Sequence, residues 1–165
     1  MFAVEEDVVN HIKGLPQEER ADYISDELEE IWFAEHRDRV YELDKSWDAM
    51  HRVLTDGNLF YCGNDHFPLG GVILGGEVLY GDEEDEDDYI ITCTPPDQVR
   101  AIFGALSDFS EAQCRNQYFT IDPEVYGLPL TNEDFDYTWQ YLEGSVGFWR
   151  RAAEQGLYVL FTADQ

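Results

Sequence analysis

Phe135, Trp139, Leu142, Val146 and Trp149 recur at steps of four, three, four and three, and this stripe limits the folds open to the chain more than any other stretch. Such spacing puts all five on one side of an α-helix, so it predicts one long helix from about Asn132 to Gln155. Gly156 follows as its cap, because glycine readily takes the left-handed conformation that ends many helices. An apolar face this long must be covered by several other elements. The means are present, since 44% of the residues are hydrophobic and 15% aromatic.

The covering elements are readable in part. Val8, Val9 and Ile12 predict a first helix over Glu5 to Lys13, ended by Gly14. Ile24, Leu28, Ile31 and Trp32 predict an acidic amphipathic helix from Pro16 to about Phe33. A third helix is expected from Asp44, as its cap, to about Asp56, with Leu43, Trp47, Met50 and Leu54 as its stripe. Tyr89-Ile-Ile-Thr-Cys-Thr94 and Leu157 to Thr162 read as buried strands. Thr94-Pro95-Pro96-Asp97 predicts a capped helix start, continued by Val99, Ile102, Phe103 and Leu106, and Ser110 to Gln113 repeats the capping-box pattern. The segment from Gly63 to Gly76 is irregular. No repeat or linker divides the chain. The expectation is α+β: one domain over 1–165, with several amphipathic helices packed on a small sheet.

Charge then narrows the partners. Ten Lys and Arg stand against 36 Asp and Glu, a formal charge of −26. Nucleic acid is disfavoured, because binding it requires clustered cations to release phosphate counterions. An anionic membrane surface repels the chain for the same reason. A basic protein, a polyamine or a metal ion is favoured, with solubility alone as the competing explanation. The acidic N-terminus does not read as a signal peptide, and no run approaches the ~20 apolar residues of a membrane span. Cys62, Cys93 and Cys114 are odd in number and widely spaced. They read as buried thiols of a reducing cytoplasm rather than as a disulfide framework or zinc site.

Two clusters can carry chemistry. On the third helix, Asp44, Asp48 and His51 fall within an arc of about 60°, beside Lys45, Trp47 and Arg52. They form either a small-ligand or general-base site, or a cap, an Asp48–Arg52 pair and a core histidine. The run Asp82, Glu83, Glu84, Asp85, Glu86, Asp87 and Asp88 is a solvated acidic loop or a steering patch for a basic partner. It lacks the spacing of a calcium loop. Gly70-Gly71 and Gly75-Gly76 match no phosphate-binding motif and read as tight turns or close backbone packing. Cys62 and His66 stand four residues apart, but nothing in the sequence orients the histidine. No cofactor or catalytic signature is read.

Leu43-Asp44-Lys45-Ser46-Trp47-Asp48-Ala49-Met50-His51 resembles the Leu-Asp-Lys-x-Trp-Asp-x-x-His segment of the YfbM-like family of bacterial proteins, a domain of unknown function. Pro68-Leu69 with Val72 to Gly76, Thr92 to Pro95, and Phe148-Trp149-Arg150-Arg151-Ala152-Ala153 occupy matching places. The resemblance spans about Val4 to Thr162. It implies an α+β domain in a bacterial cytoplasm, with Asp44, Lys45, Trp47, Asp48 and His51 as the site candidates. It carries no activity to transfer. Family members open with a complete strand where this chain has only Phe2-Ala3-Val4, so a truncated or weakly held first strand is expected. Taken together, the expected function is a non-enzymatic acidic domain that binds a basic protein, for instance as an immunity-type or inhibitory partner. An enzyme or ligand-binding site at Asp44, Asp48 and His51 is the alternative.

Overall fold

The computed structural model describes residues 1–59, 66–81 and 89–164. The acidic run Asp82 to Asp88 and Cys62 lie outside the described residues. Four antiparallel strands form one sheet in the order β1-β4-β3-β2: β1 Phe2–Val4, β2 Glu77–Tyr80, β3 Tyr89–Thr94 and β4 Tyr158–Asp164. Helices cover both faces. Phe2, Val4, Leu79, Ile91, Cys93 and Leu160 meet α1 (Glu6–Gly14), α2 (Gln17–Tyr23) and α3 (Glu29–Glu35). Ala3, Ile90, Val159, Phe161 and Ala163 face the opposite layer, built on α4 (Trp47–Leu54), α5 (Gly71–Leu74), α6 (Pro96–Ser107), α7 (Glu111–Tyr118), α8 (Pro123–Tyr126) and α9 (Asn132–Gln155). Strands buried on both faces read as continuous apolar runs, which is why β3 and β4 were legible. The α+β expectation holds. No helix among the described residues is long and apolar enough to cross a membrane.

Helix α9 spans the predicted residues, with Gly156 at φ 67°. Phe135, Leu142 and Trp149 are fully buried, and Trp139 and Val146 lie against the same core. Its N-terminus is fixed by Thr131, whose hydroxyl accepts from the Asp134 amide. Asp134 in turn accepts from the Tyr118 hydroxyl at 2.5 Å and the Tyr126 hydroxyl at 3.0 Å, tying α7 and α8 to α9. Ser110 and Gln113 form the predicted capping box of α7. Cys93 and Cys114 are free and buried, and burial pushes both thiols up to about 12.

Several expectations are corrected. Thr94 does not cap α6: it is 3% exposed and paired with Val159 in β3, and Pro95 takes the cap position. A residue held in the sheet ladder is not free to turn its hydroxyl onto a helix. Strand β1 is short, as expected, but not weakly held. Its three residues are buried, Phe2 bridges to Val40, and the Trp32 indole donates to the Ala3 carbonyl at 3.2 Å. Strand β2 was not predicted. Arg20 donates to its Leu79 carbonyl at 2.9 Å and also to the carbonyls of Leu15 and Lys13, tying β2 to the end of α1. A carbonyl engaged in this way is less available for pairing with a second chain.

Ile31 was expected in the stripe of the second helix, yet it is 45% exposed while Ile24, Leu28 and Trp32 are buried. The cause is a π turn at Ile24–Leu28, joining α2 to α3. In an unbroken α-helix, residues seven apart lie within about 20° of each other, which would align Ile31 with Ile24. A π turn holds one residue more. It turns the following residues back by about 100° and brings Trp32 into line instead. Deleting the exposed Asp26 should therefore restore an α turn and leave the core intact. The expected change in stability by urea denaturation is within about 1 kcal/mol. A loss of about 3 kcal/mol or more would mean that the π turn is required by its surroundings.

Candidate functional site

A cleft of about 480 Å³ opens where β1, α3, α4, α9 and β4 meet. Aromatic and aliphatic walls come from Phe2, Phe33, Val40, Leu43, Trp47, Tyr141 and Phe161, and carboxylates from Glu29, Glu42 and Asp44. Among the described residues, neither lysine nor arginine lines it, nor does histidine, serine or cysteine. Its size falls in the range of small-ligand sites.

Each wall has a local cause. Glu29 and Phe33 stand four apart on α3 and so share one face. The segment 40–44 is pinned at several points. The Met1 amino group donates to the Tyr41 carbonyl at 2.9 Å, the Tyr41 amide donates back to Met1, and the Tyr41 hydroxyl donates to the Tyr141 carbonyl at 2.8 Å. Tyr41 reaches α9 because residue 144 is glycine: a Cβ there would lie 2.2 Å from the hydroxyl. Asp44 sits at φ 48°, the left-handed region that aspartate tolerates better than most residues. Its carboxylate accepts from the Tyr137 hydroxyl, and burial together with this carboxylate raises Tyr137 to about 12. Trp47 packs on Phe161 with ring centroids 5.7 Å apart.

Burial sets the charge of the cleft floor. It pushes the Met1 amino group down to about 5. It also raises the Glu29 carboxyl, with the Met1 amino group and the Tyr89 hydroxyl pulling the other way. The remaining carboxylates, Glu42 and Asp44, are exposed at the mouth. The cleft can thus receive an apolar body that carries positive charge.

The predicted helical cluster is divided. The third helix does not begin at Asp44: a 3₁₀ turn occupies Asp44–Ser46 and α4 starts at Trp47, with no side-chain cap. The 60° arc therefore does not form. Asp44 and Trp47 line the cleft, and Lys45 is exposed beside them. Asp48 accepts from Arg52 Nε at 2.5 Å, the pair expected at that spacing. His51 is 1% exposed and is not part of the cleft lining. Glu29, Phe33, Glu42, Tyr141 and Phe161 were not found by sequence reading, because they converge from distant segments and share no motif. His66 stands 3.9 Å from Asp56, and Cys62 lies outside the described residues. Among the described residues, no group of three or more His, Cys, Asp or Glu is arranged to hold a metal ion.

A family described as "Domain of unknown function (DUF1877)" matches residues 1–162. Among solved structures, the chain is similar to YfbM from Escherichia coli, a protein of unknown function. The TM-score is 0.69 at 20% identity, covering 99% of this chain and 97% of that one. That likeness shows the fold, and a shared fold does not itself carry a function. No match was found among the curated proteins.

Proposed function

The chain belongs to the DUF1877 family, a domain of unknown function, and on that premise we propose that it is a non-enzymatic acidic domain of the cytoplasm that engages a basic protein. The observation that carries this reading is where its few cations go. Arg20 and Arg151 hold backbone carbonyls, Lys13, Arg37, Arg39 and Arg52 pair with Glu77, Glu42, Glu5 and Asp48, and Arg115 bonds Asn132. Seven of the ten basic residues are thus engaged internally. The outer field is left to carboxylates. A second groove, on α1, α2 and the π turn, adds Glu19, Asp22, Asp26 and Glu27. Such a field speeds encounter with a cationic partner and suppresses others.

Asp82, Glu83, Glu84, Asp85, Glu86, Asp87 and Asp88 are the proposed steering residues, and an immunity-type partner of a basic toxin or enzyme is one form of this function. The enzymatic alternative at Asp44, Asp48 and His51 has less support, because Asp48 is engaged by Arg52 and His51 lies in the core. The test is affinity capture from the native cytoplasm at low and moderate salt, followed by kinetics with the purified partner. Changing Asp82, Glu83, Glu84 and Asp85 to Ser should slow association about tenfold and flatten its salt dependence. An unchanged association rate removes the steering role, and the absence of any salt-sensitive basic partner removes the reading.

A further inference from the structure

Arg37 stands beside the mouth of the cleft. Its guanidinium lies 5.1 Å over the Phe33 ring and pairs with Glu42. Both of those residues line the cleft. The chain itself therefore shows what these walls accept: a planar cation, stacked on an aromatic face and paired with a carboxylate. Beyond Arg37, the cleft still offers Glu29, Asp44 and Trp47, with no lysine or arginine among the described residues that line it. The Arg37–Glu42 pair is more than half exposed on both sides, and an exposed pair of this kind is held weakly. It can be exchanged at little cost.

We infer that the cleft is a guanidinium site that receives one arginine side chain of a basic protein partner, and that Arg37 holds two of its lining groups until that side chain displaces it. This inference rests on the basic-partner reading above. Charge complementarity chooses the occupant. Aromatic faces from Phe33 and Trp47 stand beside the carboxylates of Glu29, Glu42 and Asp44, and a guanidinium satisfies both by stacking and by paired hydrogen bonds.

The test uses the full chain and Nα-acetyl-arginine amide, which presents the side chain as a protein would. The Trp47 indole N–H resonance, assigned through its loss in Trp47→Phe, is the readout. A saturable shift with Kd of about 1–10 mM is expected, with none from Nα-acetyl-citrulline amide, the neutral isostere. Arg37→Ala removes the competitor from an exposed position, and it should tighten binding about threefold. Glu29→Gln combined with Asp44→Asn should weaken it by about tenfold or more. Equal shifts from the citrulline probe, or no response to Arg37→Ala, overturn the inference. Displacement of the arginine probe by Ca²⁺ also overturns it, since the carboxylates would then be a general cation patch. Tighter binding of free arginine, which carries its own carboxylate, would make the occupant a free amino acid and overturn the protein source. Salt-sensitive capture of a basic partner without any arginine response removes the cleft assignment alone. An arginine response without such a partner removes the basic-partner reading and the source, but keeps the guanidinium site.

Discussion

Gly76→Ala should abolish or severely weaken folding, with a loss of about 4 kcal/mol or more. Gly76 lies between α5 and β2 at φ 79°, and a Cβ there would sit 2.0 Å from the Cys93 carbonyl oxygen and 2.8 Å from the Thr94 Cα. The left-handed conformation alone costs a non-glycine residue about 1–2 kcal/mol. The clash is with backbone of β3, which is paired with β4 on its other side. The obstacle therefore cannot rotate away as a side-chain tip would. Either β2 leaves β3, or the sheet shifts within a close-packed core. A domain of this kind has only about 5–15 kcal/mol to lose. Gly104→Ala is the control. Gly104 is exposed within α6 and a Cβ there meets nothing within 4 Å, so that change should stabilise by up to about 1 kcal/mol. Urea denaturation of both variants decides the matter. A wild-type midpoint for Gly76→Ala would show that the start of β2 is not pinned against Cys93.

Arg52→Ala is expected to cost about 3 kcal/mol, a fall in Tm of about 6–12 °C. The Arg52 side chain is only 6% exposed. It donates to Asp48 and to the Gly57 carbonyl at 3.2 Å, and its guanidinium lies 5.8 Å over the Tyr126 ring. One side chain thereby joins α4 to the turn after it and to α8. Truncation leaves Asp48 half-buried with its partner gone, and the cost of that stranded charge accounts for much of the loss. Arg52→Lys should fall between, because an ammonium keeps the charge but lacks the planar fork that reaches two acceptors at once. Calorimetry of the three proteins measures this. An unchanged Tm for Arg52→Ala would release Asp48 from its structural role and return weight to the Asp44, Asp48 and His51 reading.

The readable parts of the fold share one property: their signals are local. Phe135 to Trp149 announces α9 because its period belongs to the helix itself, and Ser110 with Gln113 announces α7 because both partners of the box lie within four residues. The failures have the opposite property. Ile31 left its stripe because of one extra residue in the π turn at Ile24–Leu28, which a fixed helical period cannot register. Thr94 lost its capping role to a strand partner at Val159. Asp44 lost its cap to a left-handed turn in a segment pinned to Met1 and Tyr141. Strand β2 carries Glu77 and a bulge between Val78 and Tyr80, so it shows no clean alternation. The site followed the same rule. Of the motif residues Asp44, Lys45, Trp47, Asp48 and His51, the cleft lining includes Asp44 and Trp47. Glu29, Glu42, Tyr141 and Phe161, their companions there, were not legible.

What the sequence determined alone was the inventory: the long helix, two inner strands, the α+β class, family membership through residues around Trp47, and a charge of −26. Those follow from periodicity, composition and short motifs, which need no knowledge of what lies across the core. Tertiary structure decided the assignment of partners. It took Asp48 for Arg52, put His51 in the interior and gathered carboxylates from α3 and the 40–44 segment around Trp47. The reason is physical. Helix and strand formation depend on neighbours within a few residues, whereas a cleft exists only where surfaces distant in the chain fail to close on one another.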